Sequence, residues 1–540
     1  MAAPMESDSN KYLQGQIPSP SYPASMRAAI LALLFLAAFS LRIHGIKGLP
    51  LQFHPVRQYR SAFIARYFYY QHLKSVPAWK KNLAFLQRQR AGTLEPPLLE
   101  YLASWAYRIT GRERVWVPRL FSSIFWLAGG VFLYLLSKKA VSADAALFSV
   151  AFYLLAPFSV MASRSFQPDP LMVMMFIASI YAVLVYYEEP STKRFVIAAA
   201  LSTLAILIKP VCLFAILAAF ISVPLAGQGL RATIRNLRMW AFGLAALLPS
   251  LAFYGYGAFT RNYNLYLAGT TFRTRLYFEP AYWRGWLHMI GTVVGIPAFG
   301  LALLSIPLFR KGLTRSLGCG LWAGYFVFGL VFNYHIYTHS YYQLQFIPIV
   351  AFTLAAGAAY LVEFAERTRW CGGRARHALP VLLLSVWLAT IMAWVRTNWE
   401  PIYYEDHDQV TIAERIGEKT AHTRKAIFLS YSNGELLEYH GELIGIPWPW
   451  RSEMHAQQGW GRPDLTVDER YKEIIDKYPS DFFIVTEMGE YQAQPQLGDF
   501  LIKHFPLLAG EKRYLIFDLR HNAGPSAERA GQENSPGFNN

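Results

Sequence analysis

Charge is scarce in this chain. Only 16% of its 540 residues are Asp, Glu, Lys or Arg, while 54% are hydrophobic. A soluble domain carries about a quarter charged residues, so the composition excludes a soluble globular protein of this length. Cysteine is nearly absent: Cys212, Cys319 and Cys371 lie in or beside apolar runs without metal-ligand spacing. That argues against a disulfide framework or a zinc site. No Asn-x-Ser/Thr acceptor occurs anywhere, which favours a bacterial membrane over a eukaryotic secretory one. No nucleic-acid-binding motif accompanies the formal net charge of +16. The excess is read as cytoplasmic-loop charge and contact with anionic membrane lipids, not as a nucleic-acid partner.

Long apolar runs, by contrast, are abundant. A transmembrane helix needs about 20 mostly apolar residues. Eleven runs qualify, near 26–44, 115–136, 143–162, 170–187, 194–208, 210–227, 237–259, 288–309, 316–334, 344–364 and 378–396. The first, which could pass for a cleaved signal peptide, is read as a retained helix because so many follow. Lys138, Lys139, Lys193, Arg194, Arg231, Arg235, Arg238, Arg310, Lys311, Arg315, Arg367, Arg369, Arg374 and Arg376 all fall in loops on one side. That side is cytoplasmic by the positive-inside rule. The fold class expected is a polytopic α-helical membrane protein with a small C-terminal α/β domain outside the cytoplasm. The division is a cytoplasmic tail over 1–25, a membrane domain over 26–397 with a long outer loop at 45–114, a soluble domain over 398–520 and a disordered tail over 521–540. In the soluble part "AIFLS", "FFIVT" and "YLIFDL" read as buried strands, and "AERIGEKT" and "DERYKEIIDKY" as helices.

The outer loop breaks the charge pattern. Between 45 and 114 it holds 12 Lys and Arg residues against Glu95, Glu100 and Glu113 alone. Cations gathered on the translocated side imply an anion to hold. The unusual polar stretches all fall on that side as well: "FHPVRQYR" (53–60), "LEPPLLEY" (94–101), "SRSFQPDP" (163–170), 261–286, and "NYHIYTHSYYQLQFIP" (333–348). Non-helical polar backbone at a membrane is tolerated only in protein or beside a wet cavity. The five stretches therefore predict one outward cavity.

The order of these elements resembles a known family. A first span, a long loop opening on His-Pro, a Glu-Pro-Pro-Leu-Leu element, "VPRLFSSIFWLAGGVFLYLL" and "THSYYQLQFIPIVA" are similar to the GT-C superfamily of membrane glycosyltransferases. The resemblance is to the branch of protein O-mannosyltransferases and lipid A aminoarabinose transferases, over roughly residues 26–400. It implies transfer of a sugar from a polyprenyl-phosphate-linked donor to a glycan, lipid or protein acceptor. The expected location is the bacterial cytoplasmic (inner) membrane, N-terminus inside. Such transfer needs a base near the acceptor and cations at the departing phosphate. The residues fix no cofactor; a divalent metal is compatible with such transfer but not indicated by any ligand spacing here. The chain departs from relatives at a telling place: Val56-Arg57 stand where they carry an Asp-Glu pair, and Leu94-Glu95 where they carry Glu-Lys.

Three residues are expected in the catalytic role. Asp169 opens a helix before Pro170; its plainer role is an N-cap. Glu95 is aimed by the two prolines after it, or is simply a solvated loop acid. His54 has a base's ordinary pKa, or is a turn residue. For the donor phosphate the pool is Arg57, Arg60, Arg164, Lys209, Arg261, Arg273 and Arg275, since guanidinium can bind two oxygens at once. Arg66 is explained by an interfacial helix snorkelling its cation to headgroups. Tyr59, His335, His339, Tyr341 and Tyr342 are expected to line the sugar site, the two histidines with only a minor claim as a metal pair. The alternative to an enzyme is a protein that binds or transports the lipid-linked sugar without turnover.

Overall fold

Helices dominate the computed structural model, which describes residues 22–260, 272–368, 408–459 and 462–521. Two compact units divide the chain: Met1–Gly48 with Gly92–Glu400, and Leu49–Ala91 with Pro401–Asn540. Most of the outer loop thus shares a unit with the C-terminal region.

In the first unit each of the first ten expected spans falls on helix; the eleventh lies outside the described residues. Six helices among the described residues are long and apolar enough to cross a membrane: Ala24–Ile43, Trp116–Ala140, Asp169–Glu188, Pro210–Arg235, Leu237–Phe259 and Ser340–Leu361. This is an integral membrane protein. Two further expected spans are not straight. Ala143–Leu155 and Pro157–Ser163 meet at 59°, where Pro157 cannot extend the preceding helix. The span expected at 288–309 begins earlier, at Pro280, and turns through 91° between Val294 and Ile296. Gly295 takes φ 82° there, and Pro297 follows at the start of the next helix, a breaker pair written in the sequence. The expected runs at 194–208 and 316–334 are the helices Thr192–Ile208 and Leu313–Val331, which are not among the six.

Close packing has visible causes. A Cβ added at Gly324 would lie 2.4 Å from the carbonyl oxygen of Phe214, and one at Gly320 would lie 2.6 Å from that of Ala218. Small residues four apart thus let Leu313–Val331 approach Leu213–Arg235, the usual small-residue seam of membrane helices. The Thr192–Ile208 helix starts on a Ser191 cap and ends at Lys209, whose extended backbone (φ −160°, ψ 121°) is what a residue before proline adopts.

The second unit joins two distant stretches. Pro55–Gln71 and Ala78–Ala91 are the loop helices. The C-terminal part carries β1 (Ala426–Leu429), β2 (Gly445–Pro447), β3 (Phe482–Val485), β4 (Leu507–Glu511) and β5 (Tyr514–Asp518) in the order β2-β1-β3-β5-β4. β1 is parallel to β2 and β3, while β5 is antiparallel to β3 and β4. Ile427, Leu429, Phe483, Val485, Phe517, Trp448, Leu497 and Leu501 form its core. The helix Val467–Lys477 begins with a reciprocal Thr466–Glu469 capping box. The three expected strands and both expected helices are present. The short β2, within "LIGIP", and the exposed edge β4, opening on Leu507-Leu508-Ala509, are additional to the expected strands.

Candidate active site

The buried chemistry of the membrane-spanning unit gathers around Asp169. Pro168 and Pro170 set the start of its helix, and the Asp169 side chain does not cap that helix. Its Oδ1 instead accepts from Lys209 Nζ at 2.7 Å, with the two side chains 0% and 3% exposed. Asp169 Oδ2 is also buried and takes no hydrogen bond from the described residues. The ammonium of Lys209 lies 4.7 Å from the Tyr341 ring centre and 5.2 Å from that of Tyr342, so two ring faces share a cation already held by a carboxylate. His335 stacks on Tyr342 at 4.6 Å and lies 5.6 Å from His339. Burial, followed by His339, Lys209 and Arg273, lowers the His335 pKa to about 4. His335 is therefore neutral at physiological pH, a hydrogen-bonding group and not a cation.

Five expected residues of this unit thus come together: Asp169, Lys209, His335, Tyr341 and Tyr342, with His339 beside them. Arg273 stands over Tyr334 at 4.7 Å, its backbone tied to the Asn333 amide in both directions, N–H to Oδ1 at 3.0 Å and C=O from Nδ2 at 2.8 Å. Arg275 is 92% exposed and pairs with Glu279 one helical turn on. Arg261 lies outside the described residues. Glu95 is half-buried ahead of the helix Leu98–Thr110, on which Glu100 is buried. Arg164 is buried and gives its carbonyl to Arg119 Nε at 3.0 Å. Sequence reasoning passed over Arg42 and Arg119. Arg119 also donates to the carbonyls of Ile46 and Gly48, while Arg42 Nε reaches Ser163 Oγ at 2.7 Å. Their signal was position: each lies at one end of an apolar run, where an arginine can satisfy carbonyls that a helix end leaves open.

In the loop-and-sheet unit His54 is the turn residue before the helix Pro55–Gln71, with φ 45°, and Pro55 occupies the first helical position. Gln58 Nε2 ties that turn down through the carbonyls of Pro50 and Phe53, at 3.0 and 2.7 Å. Arg57 and Arg60 are half-buried on this helix. Tyr59, expected to line a sugar site, is enclosed inside the unit, its hydroxyl 3.4 Å from His440 Nε2. Arg66 corrects another expectation. It is buried, its guanidinium stacks 3.6 Å from the Tyr439 ring centre, and Nη1 donates to the Tyr439 carbonyl at 2.8 Å. A protein ring and carbonyl, not lipid headgroups, receive this cation.

The acids facing the loop were missed. Glu438 is buried, pairs with Arg90 and accepts from the Gly445 N–H at 2.9 Å. Burial raises its pKa, against the opposing pull of Arg90. Glu435 is raised to about 8 by burial and by Glu438, with Arg90 and Arg60 pulling the other way. His440 is lowered to about 3 by burial and by Arg66. The surplus of cations in the loop was the available signal, since part of it needed carboxylates from elsewhere in the chain. Among the described residues no three His, Cys, Asp or Glu side chains converge as a metal site.

The whole architecture has solved counterparts. ArnT from Cupriavidus metallidurans bound to undecaprenyl phosphate matches with a TM-score of 0.55 at 14% identity, covering 93% of this chain and 100% of that one. The fold is GT-C-like. The apo state of the same ArnT matches this GT-C-like chain at 0.54 and 14% identity, over 91% of it and 97% of ArnT. The oligosaccharyltransferase of Archaeoglobus fulgidus, tethered to an acceptor peptide containing the NVT sequon, matches at 0.51 and 11% identity, over 90% of this chain and 72% of that one. The profile of the dolichyl-phosphate-mannose-protein mannosyltransferase family matches residues 94–255 of the GT-C-like chain. No curated protein matches its sequence.

Proposed function

We propose that the chain is a glycosyltransferase that moves a sugar from a polyprenyl-phosphate-linked donor to an acceptor outside the cytoplasm, a glycolipid, an envelope glycan or a protein. The observation that carries this reading is the buried Asp169–Lys209 pair under two tyrosine rings on a GT-C fold. The ArnT relative holds undecaprenyl phosphate, and the oligosaccharyltransferase an acceptor peptide. These supports favour a lipid-linked donor and a separate acceptor. The protein sits in the inner membrane, its N-terminus inside and its C-terminal domain outside.

In the reaction the acceptor oxygen bonds to the anomeric carbon as the carbon–oxygen bond to phosphate breaks. Polyprenyl phosphate leaves with that electron pair, and the acceptor proton passes to a base. Asp169 takes the proton-handling role, because one of its oxygens is left over after Lys209 is bound. Lys209 holds that carboxylate in place. For Arg57 and Arg60, which belong to the other unit, the proposed role is to bind the donor's phosphate, which their planar forks suit. Neutral His335 and the Tyr341–Tyr342 pair offer ring faces and hydrogen bonds to a sugar. In a transfer assay with labelled donor, Asp169→Asn should lose about 100-fold or more, and Arg57→Ala should lose transfer too, both inserting in normal amounts. Undiminished transfer in both variants rejects these roles.

One feature favours a second reading: Val56-Arg57 stand where the resemblance to the GT-C branch implies an acidic pair. A chain that retains the labelled donor through purification, yet gives no product with any envelope extract, would be a carrier and not a transferase.

A further inference from the structure

The segment Gly434–Leu443 meets the loop helices through five side-chain contacts of different chemistry. Glu438 pairs with Arg90. Gln87 Nε2 donates to the carbonyls of Glu438 and Leu443, at 2.9 and 3.2 Å. Tyr439 takes Arg66 on its ring and on its carbonyl. His440 meets Tyr59. Glu442 Oε1 accepts from Lys80 Nζ at 2.6 Å. The contacts reach both helices, at Tyr59 and Arg66 on Pro55–Gln71 and at Lys80, Gln87 and Arg90 on Ala78–Ala91. Side chains donate into backbone carbonyls in three of these bonds. Such contacts fix the position of a chain, not merely its charge balance.

We infer that Gly434–Leu443 is a positioning clamp: by gripping both loop helices, it sets where the His54–Arg60 turn presents Arg57 and Arg60. Tyr59, at the heart of the grip, lies between those two arginines in sequence, and one helical turn separates them. A shift of the clamp therefore moves both guanidinium groups together. Glu438, Tyr439 and Gln87 act through the helices they hold and need not touch substrate. The inference rests on the proposed role of Arg57 and Arg60 in donor binding.

Two charge exchanges test it in the full-length protein. Glu438→Arg and Arg90→Glu alone should each raise amide exchange across residues 55–91 by about tenfold or more, because each leaves like charges facing each other at a half-buried contact. Each should also raise the donor KM about tenfold with kcat little changed, the pattern of lost uniform binding. The double exchange should restore a large part of both, the exchanged guanidinium being unable to accept from the Gly445 N–H. The milder Lys80→Glu with Glu442→Lys repeats the test at a more exposed pair should the first singles not accumulate. Unchanged exchange in 55–91 in the singles, or faster exchange without any KM change in a protein that does turn over, overturns the clamp. A protein that shows exchange and rescue as expected but never transfers sugar overturns the proposed function and leaves the grip itself standing.

Discussion

The membrane-spanning unit commits one carboxylate and one ammonium to each other in full burial and closes aromatic rings over them. The loop-and-sheet unit spreads its charges across Arg66, Lys80, Arg90, Glu435, Glu438 and Glu442, several of them half in water. The difference is one of tolerance. An isolated buried pair has no second partner to turn to, so removing either member strands a charge. A distributed set exchanges partners, and solvent screens what is lost. The first arrangement suits a site whose geometry must not drift. The second suits an interface between stretches of chain that must find each other.

The comparison breaks most sharply at Lys209. Lys209→Met should destabilise the membrane-spanning unit by about 3–5 kcal/mol, and Asp169→Leu added to it should recover most of that loss. Thermal unfolding in detergent measures both. A single variant as stable as the parent would mean that Asp169 takes a neutral form at no cost, and that the pair is not the constraint described.

The loop-and-sheet unit should respond instead to pH, and on both sides. Glu435 is raised to about 8 from an ordinary 4.5. Between those values the folded chain keeps a proton that the unfolded chain has released, so stability falls as pH rises through that window. The upward shift of Glu438 acts the same way. His440, lowered to about 3 from 6.5, stays neutral in the fold while the unfolded chain takes a proton. Stability therefore falls as pH drops from 6.5 towards 3. The two trends oppose between 4.5 and 6.5, and protection of residues 434–443 should decline on either side. Protection factors, corrected for intrinsic exchange, should follow this profile, and Glu435→Gln should shrink the alkaline limb and leave the acid limb, the remainder belonging to Glu438. An alkaline limb undiminished in Glu435→Gln removes that residue from the account.

The smallest effect belongs to Lys80, whose side chain is 32% exposed beside Glu442 at 19%. Lys80→Gln should cost about 0.5 kcal/mol or less, shrinking further in high salt. A loss near that of Lys209→Met would show that the second unit is as brittle as the first.

Much of this was legible before any coordinates. Apolar runs located helices because membrane burial demands them, and β1, β3 and β5 announced themselves as short buried runs. Asp169 stood out because a carboxylate between two prolines at a span's end is rare. Its partner did not. Lys209 read as a phosphate cation, since nothing in local sequence says that a lysine 40 residues on will fold back to it. Glu438 was hidden more thoroughly, 348 residues from Arg90. "GELLEYHGEL" looks like any solvated helix until the cation excess of the loop is set beside it. The bend at Gly295 was readable, and the hydropathy of the run concealed it.

The second unit is written in two places, with Gly92–Glu400 between its parts. Synthesis at about 5–20 residues per second puts roughly 17–70 s between the loop helices and the segment that grips them. Throughout that interval the outer loop has crossed the membrane, on the proposed orientation, with Arg66 and Arg90 still lacking Tyr439 and Glu438. Arg66 and Arg90 gain these partners only once the chain is translated past Leu443, and β2 to β5 of the same unit follow later still.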